Sequence, residues 1–409
     1  MNSRERVLTT LRHQQPDRVP VDLASHGSSG ISAIAYARLR KFLGLKEKPI
    51  RVFDPVQQLA LVDEDVLDRF GVDAVDLGRG FALDDASWAD WVLPDGTPCQ
   101  MPFWALPERE KGQWVIRSRN HKVIARMPDG VLYFEQCYYP FSDEGGPKTI
   151  AEAMDNCSWT AITSPPGPLI EGPNGPRLLA EGAQALRENT ERVIIWSFGG
   201  NLFEIGQFFY GMESFFALLA HEPKRAHEFL DKLVEFHLGN LERLLGTIGK
   251  YIDIILFSDD LGMQTGLLLS PKMYRDFFKP RHALMWKRAK DLTNLNVMLH
   301  CDGAIRELIP DLIDIGLDAV NPVGISCRGM DAAELKAEFG KDLVFWGGGC
   351  DGQTVLFRGK PEEIKRHVKE QVKIFAPGGG FVFQQVDNIM ANITPECIVA
   401  MYEALSCWD

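Results

Sequence analysis

The run Asn296-Val-Met-Leu-His300-Cys301-Asp302-Gly303 passes abruptly from apolar residues to polar ones and glycine. In a strand, residues two apart share a face, so His300 and Asp302 point together while Cys301 turns away. Such a pair supplies two metal ligands or an acid and a base; equally, Asp302 can do no more than fix the His300 tautomer through a hydrogen bond. A second apolar run turns polar at Phe381-Val-Phe-Gln384-Gln385-Val386-Asp387-Asn388. Asp387 could close a three-ligand metal site with His300 and Asp302, leaving a coordination position open for substrate; taken alone it reads as a turn aspartate. A third transition, Phe257-Ser258-Asp259-Asp260-Leu-Gly262-Met-Gln264, carries adjacent carboxylates. Their side chains should diverge, one free for chemistry and the other capping a helix or pairing with a cation.

Other residues offer less. Leu343-Val-Phe-Trp-Gly347-Gly348-Gly349-Cys350-Asp351 ends a strand in glycines that let backbone approach a ligand, but it lacks the G-x-G-x-x-G spacing of a dinucleotide site. Cys350 reads as a buried thiol before it reads as a soft ligand. Trp196, Phe198, Phe203, Tyr138 and Tyr139 could wall a flat substrate, though core packing is the default for each. Ser197 has no G-x-S-x-G setting.

Three of these transitions end strands, and the strands recur. Apolar runs at Val19–Leu23, Ala74–Leu77, Val193–Phe198, Ile252–Phe257, Asn296–His300, Ala319–Val323, Leu343–Trp346 and Phe381–Val386 alternate with longer amphipathic segments. Parallel strands covered by helices follow, and eight is the number a closed (β/α)8 TIM barrel needs, with chemistry at the carboxyl ends. Pro361–Phe375 repeats Ile364, Val368, Val372 and Phe375 and should lay that face on the barrel. Ser270-Pro271, Lys360-Pro361 and Thr394-Pro395 mark helix starts. One region, 79–140, breaks the rhythm with tryptophan, Asp95-Gly96 and Asp129-Gly130, and reads as a hairpin-rich insertion roofing the barrel mouth. Residues 164–177, rich in proline and glycine, read as an extended connection.

Bulk properties narrow the partners. The formal net charge of -12 disfavours nucleic acid and anionic membrane, which need surplus Lys and Arg. No apolar run approaches the roughly 20 residues of a membrane span. The charged amino terminus lacks a signal-peptide core, and eight cysteines without a C-x-x-C suit reduced thiols, so a cytoplasmic enzyme without disulfides is expected.

With these residues in view, the chain resembles the uroporphyrinogen decarboxylase superfamily, in particular its branch of corrinoid-dependent methyltransferases. The resemblance runs nearly end to end, which implies one barrel over 1–409. It rests on Asn2-Ser-Arg-Glu-Arg-Val7 with Pro16-Asp-Arg-Val-Pro20, on Phe257-Ser-Asp-Asp-Leu-Gly262 followed by Ser270-Pro-Lys-Met-Tyr274, and on His300-Cys-Asp-Gly303. Ile309-Pro-Asp-Leu-Ile313 with Asp318-Ala-Val-Asn-Pro322 and the closing Pro377-Gly-Gly-Gly-Phe381 complete it. Porphyrinogen decarboxylases carry Arg-Gln-Ala-Gly-Arg after the first strand to meet substrate carboxylates. This chain has Val21-Asp-Leu-Ala-Ser-His-Gly-Ser-Ser-Gly30 there, without arginine. Methyltransferases of the family hold zinc through a His-x-Cys pair and a later cysteine. The resemblance puts His300, Asp302 and Asp387 at those positions, so carboxylates replace both thiols and make a harder site.

The resemblance therefore implies a methyltransferase moving a methyl group from a small O-methylated compound, such as an aromatic ether, to the cobalamin of a separate corrinoid protein. His300, Asp302 and Asp260 would carry the chemistry with Zn2+, and Trp196, Phe198, Gln264 and Gln385 would hold substrate. The alternatives are a decarboxylase acting on a smaller carboxylated substrate, and a corrinoid- or tetrapyrrole-binding protein without turnover.

Overall fold

The computed structural model describes every residue except 81–84, 162–171, 173 and 407–409; most of the connection expected at 164–177 lies outside the described residues. Seven strands form one parallel sheet: β1 (Ala74–Asp76), β2 (Val193–Gly199), β3 (Ile254–Ser258), β4 (Asn296–His300), β5 (Ala319–Asn321), β6 (Val344–Trp346) and β7 (Phe381–Val382). Each pairs with its chain-order neighbour, so the sheet curls from β1 round to β7. This is a TIM-barrel-like fold. The run expected as the first of eight strands, Val19–Leu23, is reduced to an isolated bridge between Val21 and Phe383. It still spans the gap between the edges: Asp22 N–H donates to the Phe383 carbonyl at 2.8 Å, and Asp73 N–H donates to that of Val21 at 2.7 Å. Pro20 has no N–H with which to lengthen a ladder, and the Val21 N–H is taken by the Asp73 carboxylate at 2.9 Å.

Alternation along the strands builds two cores. Ala74, Ile195, Ile254, Leu256, Met298, Ala319, Val344 and Val382 face the lumen and pack there with Val7 and Leu11. The latter two come from helix Ser3–Leu11, which begins in a capping box: Asn2 accepts the Glu5 N–H at 2.8 Å and its own N–H donates to the Glu5 carboxylate at 3.0 Å. Gly380 N–H donates to the Thr10 carbonyl, so this helix plugs the amino end of the strands and the opposite, carboxyl end stays available. The alternate residues, among them Ile194, Ile255, Val297, Val320 and Phe345, face the helices in a larger outer core. Pro361–Phe375 contributes Ile364, Val368, Val372 and Phe375 to that layer, the face its periodicity marks.

Between β1 and β2 the chain makes antiparallel hairpins. Trp88–Val92 pairs with Pro98–Pro102, and Glu108–Glu110, Gln113–Arg117, Val123–Pro128 and Glu135–Gln136 form a four-stranded sheet. Arg119, in the turn after Gln113–Arg117, is the residue of these hairpins that reaches the cavity described below. The described cysteines are free. Among the described residues no helix is long and apolar enough to cross a membrane.

Candidate functional site

Lumen residues at the carboxyl ends of the strands, Trp346 apart, are polar where those below are apolar, and β4 is the centre of the change. His300, its last residue, is paired across the ladder with Ser258 of β3 and Asn321 of β5. All three therefore face the lumen. Beyond the strands, the turns after β3 and β4 press together. A Cβ on Gly303, whose φ is +94°, would stand 2.4 Å from the Gly262 carbonyl carbon, so only glycine permits the approach. The consequence is that Asp260 Oδ1 accepts the Asp302 backbone N–H at 2.8 Å, which brings the two carboxylates to one place.

His300 Nε2 stands 3.7 Å from Asp260 Oδ1 and 3.8 Å from Asp302 Oδ2. Both gaps are too long for a hydrogen bond. One ligand atom from each of the three residues lies within 4.8 Å of the others. The group fits a divalent ion: two carboxylates and one imidazole converge without bonding each other, a donor set of intermediate hardness that suits zinc, iron or manganese. The same gaps remove the reading in which Asp302 fixes the His300 tautomer, since no hydrogen bond joins them. Burial works against a charged imidazole at His300, but Asp260, then Asp302 and Glu204, outweigh it and raise its pKa to about 9. Burial likewise pushes Asp302 up to about 6, against the pull of His300.

Asp387, expected as the third ligand, borders the same cavity but is not one of the three that converge; Asp260 takes that place. The backbone there turns at φ +61°, and the Asp387 carboxylate accepts the N–H of its own neighbour Asn388 at 2.6 Å. Asp259 diverges from Asp260 as expected. Fully buried, it accepts the N–H groups of Phe203 and Glu204 at the start of helix Phe203–Tyr210, and His282 Nε2 lies 3.1 Å from it.

The expected substrate residues fare differently. Trp196 and Phe198 border the cavity, of about 860 Å³, from outside the lumen: they share a strand face with Ile194, lie 5.1 Å apart, and Phe198 meets His237 of helix Pro223–Ile248 at 6.0 Å. Ser197 takes the lumen face, its hydroxyl buried with no hydrogen-bond partner among the described residues. Gln264 sits exposed in the turn of the small hairpin Gly262–Leu267, away from the cavity. Gln385 is buried on the helix side, where its amide meets the Ser29 carbonyl and the Tyr402 hydroxyl. Its neighbour Gln384 has the lumen position. Phe203 is core, Tyr138 and Tyr139 lie off the cavity, and burial raises the pKa of the Cys350 thiol.

Sequence reasoning missed Glu204, Asn321 and Ser28. Glu204 borders the cavity, bonded to Asn201 Nδ2 at 2.5 Å, and burial beside Asp260 and Asp259 raises its pKa well above the usual range. Its signal was weak: nothing near Phe203 marks a site until Asp259 fixes the helix start. Asn321 stood at a strand end in Asp318-Ala-Val-Asn321-Pro322, the same polar break that marked His300. Its Oδ1 lies 3.2 Å from His300 Nδ1 and accepts the Ser28 hydroxyl at 2.7 Å.

A curled parallel sheet with its polar cluster at the carboxyl rim defines a barrel of the kind that places its chemistry there. The match is specific: residues 143–408 fit the model of the uroporphyrinogen decarboxylase (URO-D) family, and the chain belongs to that family. No curated protein matches it in sequence. Among solved structures it is similar to a methyltransferase from Methanosarcina mazei, at 18% identity over 99% of this chain and 98% of that one, with a TM-score of 0.59. A β-glycosidase from the hyperthermophile Thermosphaera aggregans matches at 11% identity over 96% of each chain, with a TM-score of 0.39.

Proposed function

We propose that the chain is a methyltransferase that moves a methyl group from a small O-methylated compound, such as an aromatic methyl ether, to a separate corrinoid protein. The convergence of Asp260, His300 and Asp302 at the barrel rim is the observation that carries this reading. A divalent ion held by these three, zinc before iron or manganese, would supply Lewis acidity at the ether oxygen and ease its departure. The chain's own part is orientation. Asp260 is fixed by the Asp302 N–H, and His300 by Asn321, so the donors keep their places without a ligand. The methyl acceptor is the cobalt(I) corrinoid of the partner protein, which docks at the open carboxyl face.

Charge separates this reading from porphyrinogen decarboxylation. Among the described residues seven carboxylates border the cavity, against two guanidiniums, Arg119 and Arg243. That balance opposes a substrate bearing many carboxylates. Incubating the protein with a reduced corrinoid protein and a panel of methoxylated aromatics, while following the corrinoid absorbance, tests the proposal: methylation is expected with at least one donor. No methylation with any donor, together with carbon dioxide release from a carboxylated analogue, would overturn it in favour of the decarboxylase.

A further inference from the structure

Three side-chain amides and hydroxyls behind His300 leave one arrangement of protons. Gln384 Nε2 lies 3.1 Å from the Ser28 carbonyl, which can only accept, so the Gln384 nitrogen faces Ser28 and its Oε1 faces Asn321. Asn321 must then present its nitrogen, which donates to that Oε1 at 2.7 Å and to the Trp346 carbonyl at 3.0 Å. A flipped Asn321 would set oxygen against two acceptors in a fully buried place, a cost of roughly 1–3 kcal/mol for each unsatisfied group. Asn321 Oδ1 is left facing the Ser28 hydroxyl at 2.7 Å and His300 Nδ1; two oxygens that close need a proton between them, so the hydroxyl donates to Asn321 and accepts from His26 Nδ1, 3.0 Å away. An acceptor at 3.2 Å requires a proton on that nitrogen.

We propose that Asn321 is a positioning residue that keeps a proton on His300 Nδ1, so that Nε2, facing Asp260 and Asp302, is the nitrogen that gives up its proton when a metal ion binds the three. The inference rests on the metal-assisted reading above and names the residue that makes it work. A metal-ligating imidazole commonly donates its other N–H to such a partner, and losing the partner lowers affinity about 10–100-fold. Carboxylates fill that role more often, whereas here a neutral amide does, locked by Gln384 and the Trp346 carbonyl. The Asn321 oxygen has both lone pairs committed, to Ser28 and His300, so the ring has no second orientation that keeps every bond.

The test uses zinc alone as the probe, with the full-length protein labelled at histidine nitrogen. Zinc affinity is read by competition against a chromogenic chelator, and the His300 tautomer by nitrogen NMR of the zinc-bound protein. Wild type should bind zinc at Nε2 with the proton on Nδ1. Asn321→Leu, close in size but without an acceptor, should lose about 10–100-fold in zinc affinity. Should Asn321→Leu fail to fold, Ser28→Ala keeps the test alive: Asn321 stays locked by Gln384 and Trp346, so the proton must remain on Nδ1. Zinc bound through Nδ1, or unchanged affinity in Asn321→Leu, overturns the role of Asn321 and leaves the metal site standing. Failure of wild type to bind zinc, iron or manganese overturns the metal reading itself, and this inference with it.

Discussion

The carboxylates of Asp259 and Asp260 leave one strand end in opposite directions: the first is sealed beneath helix Phe203–Tyr210, and the second enters the cavity beside Asp302. Neighbours in sequence thus have separate tasks. Asp259 ties together β3, the start of the helix carrying Glu204, and His282 of helix Lys279–Leu292.

Asp259→Ala should accordingly cost about 3 kcal/mol of stability, since it strips acceptors from buried N–H groups and leaves His282 Nε2 without its partner. Asp260→Ala should cost much less. Urea denaturation of the two variants side by side checks this; equal losses would mean that Asp260 is structural too.

Metal content separates Asp260 from Asp387. Zinc-loaded wild type should hold about one ion per chain, and His300→Ala and Asp260→Ala should lose it while remaining folded. Asp387→Ala should keep most of its zinc. Metal analysis after dialysis gives the answer, and loss from Asp387→Ala with retention in Asp260→Ala would reverse the assignment of the third ligand.

Barrel closure rests on a buried charge. Asp73 is fully buried and accepts from Arg6 Nη1 at 2.7 Å, from Arg18 at 2.8 and 2.9 Å, and from the Val21 N–H. Removing it leaves Arg6 with the Asp17 carboxylate alone, and takes the carboxylate from Arg18 and the acceptor from the buried Val21 N–H. Asp73→Ala should therefore lose about 2–3 kcal/mol, read as a lower urea midpoint, whereas a surface carboxylate such as Asp291 changed to alanine should lose under about 1 kcal/mol.

His237 makes stability depend on pH. Burial pushes its pKa down to about 4, and its Nε2 lies 3.2 Å from the Asn201 carbonyl, so the folded protein holds it neutral with that nitrogen protonated. In the unfolded chain its pKa is about 6.5, so below that value the unfolded state binds more protons. The stability from neutral burial is complete above pH 6.5 and falls as pH drops toward 4, with a slope of at most about 1.4 kcal/mol per pH unit and a total of about 3 kcal/mol. His237→Gln, which keeps a donor but does not titrate, should flatten the stability profile across that window. A profile of unchanged slope would show that His237 is not the group responsible.

Much of this was legible in the chain itself. Strand ends announce themselves by a break from apolar to polar residues, so the His300–Asp302 spacing, the divergence of Asp259 from Asp260 and the buried face of Pro361–Phe375 follow from local periodicity. The absence of arginine in 21–30 already argued against a polycarboxylate substrate. Each of these depends only on residues close together along the chain.

What the tertiary structure alone decided is which face of each strand looks inward and what meets there. A period of two says that Gln384 and Gln385, or Ser197 and its neighbours Trp196 and Phe198, lie on opposite faces, but not which is the lumen. Barrel strands are apolar on both faces because lumen and helix layer are both packed. The choice fell to Gln384 and Ser197 through the register of β7 and β2 against their neighbours. Likewise, the partners of His300 come from separate strand ends: Asn321 lies 21 residues along the chain and is set beside it by the β4–β5 ladder, and Gln384 lies 63 residues beyond Asn321. The three side chains that converge include Asp260, brought in by the contact of Gly262 with Gly303, and leave Asp387 at the cavity border. Contacts of that kind depend on how distant turns pack, which spacing along one segment does not encode.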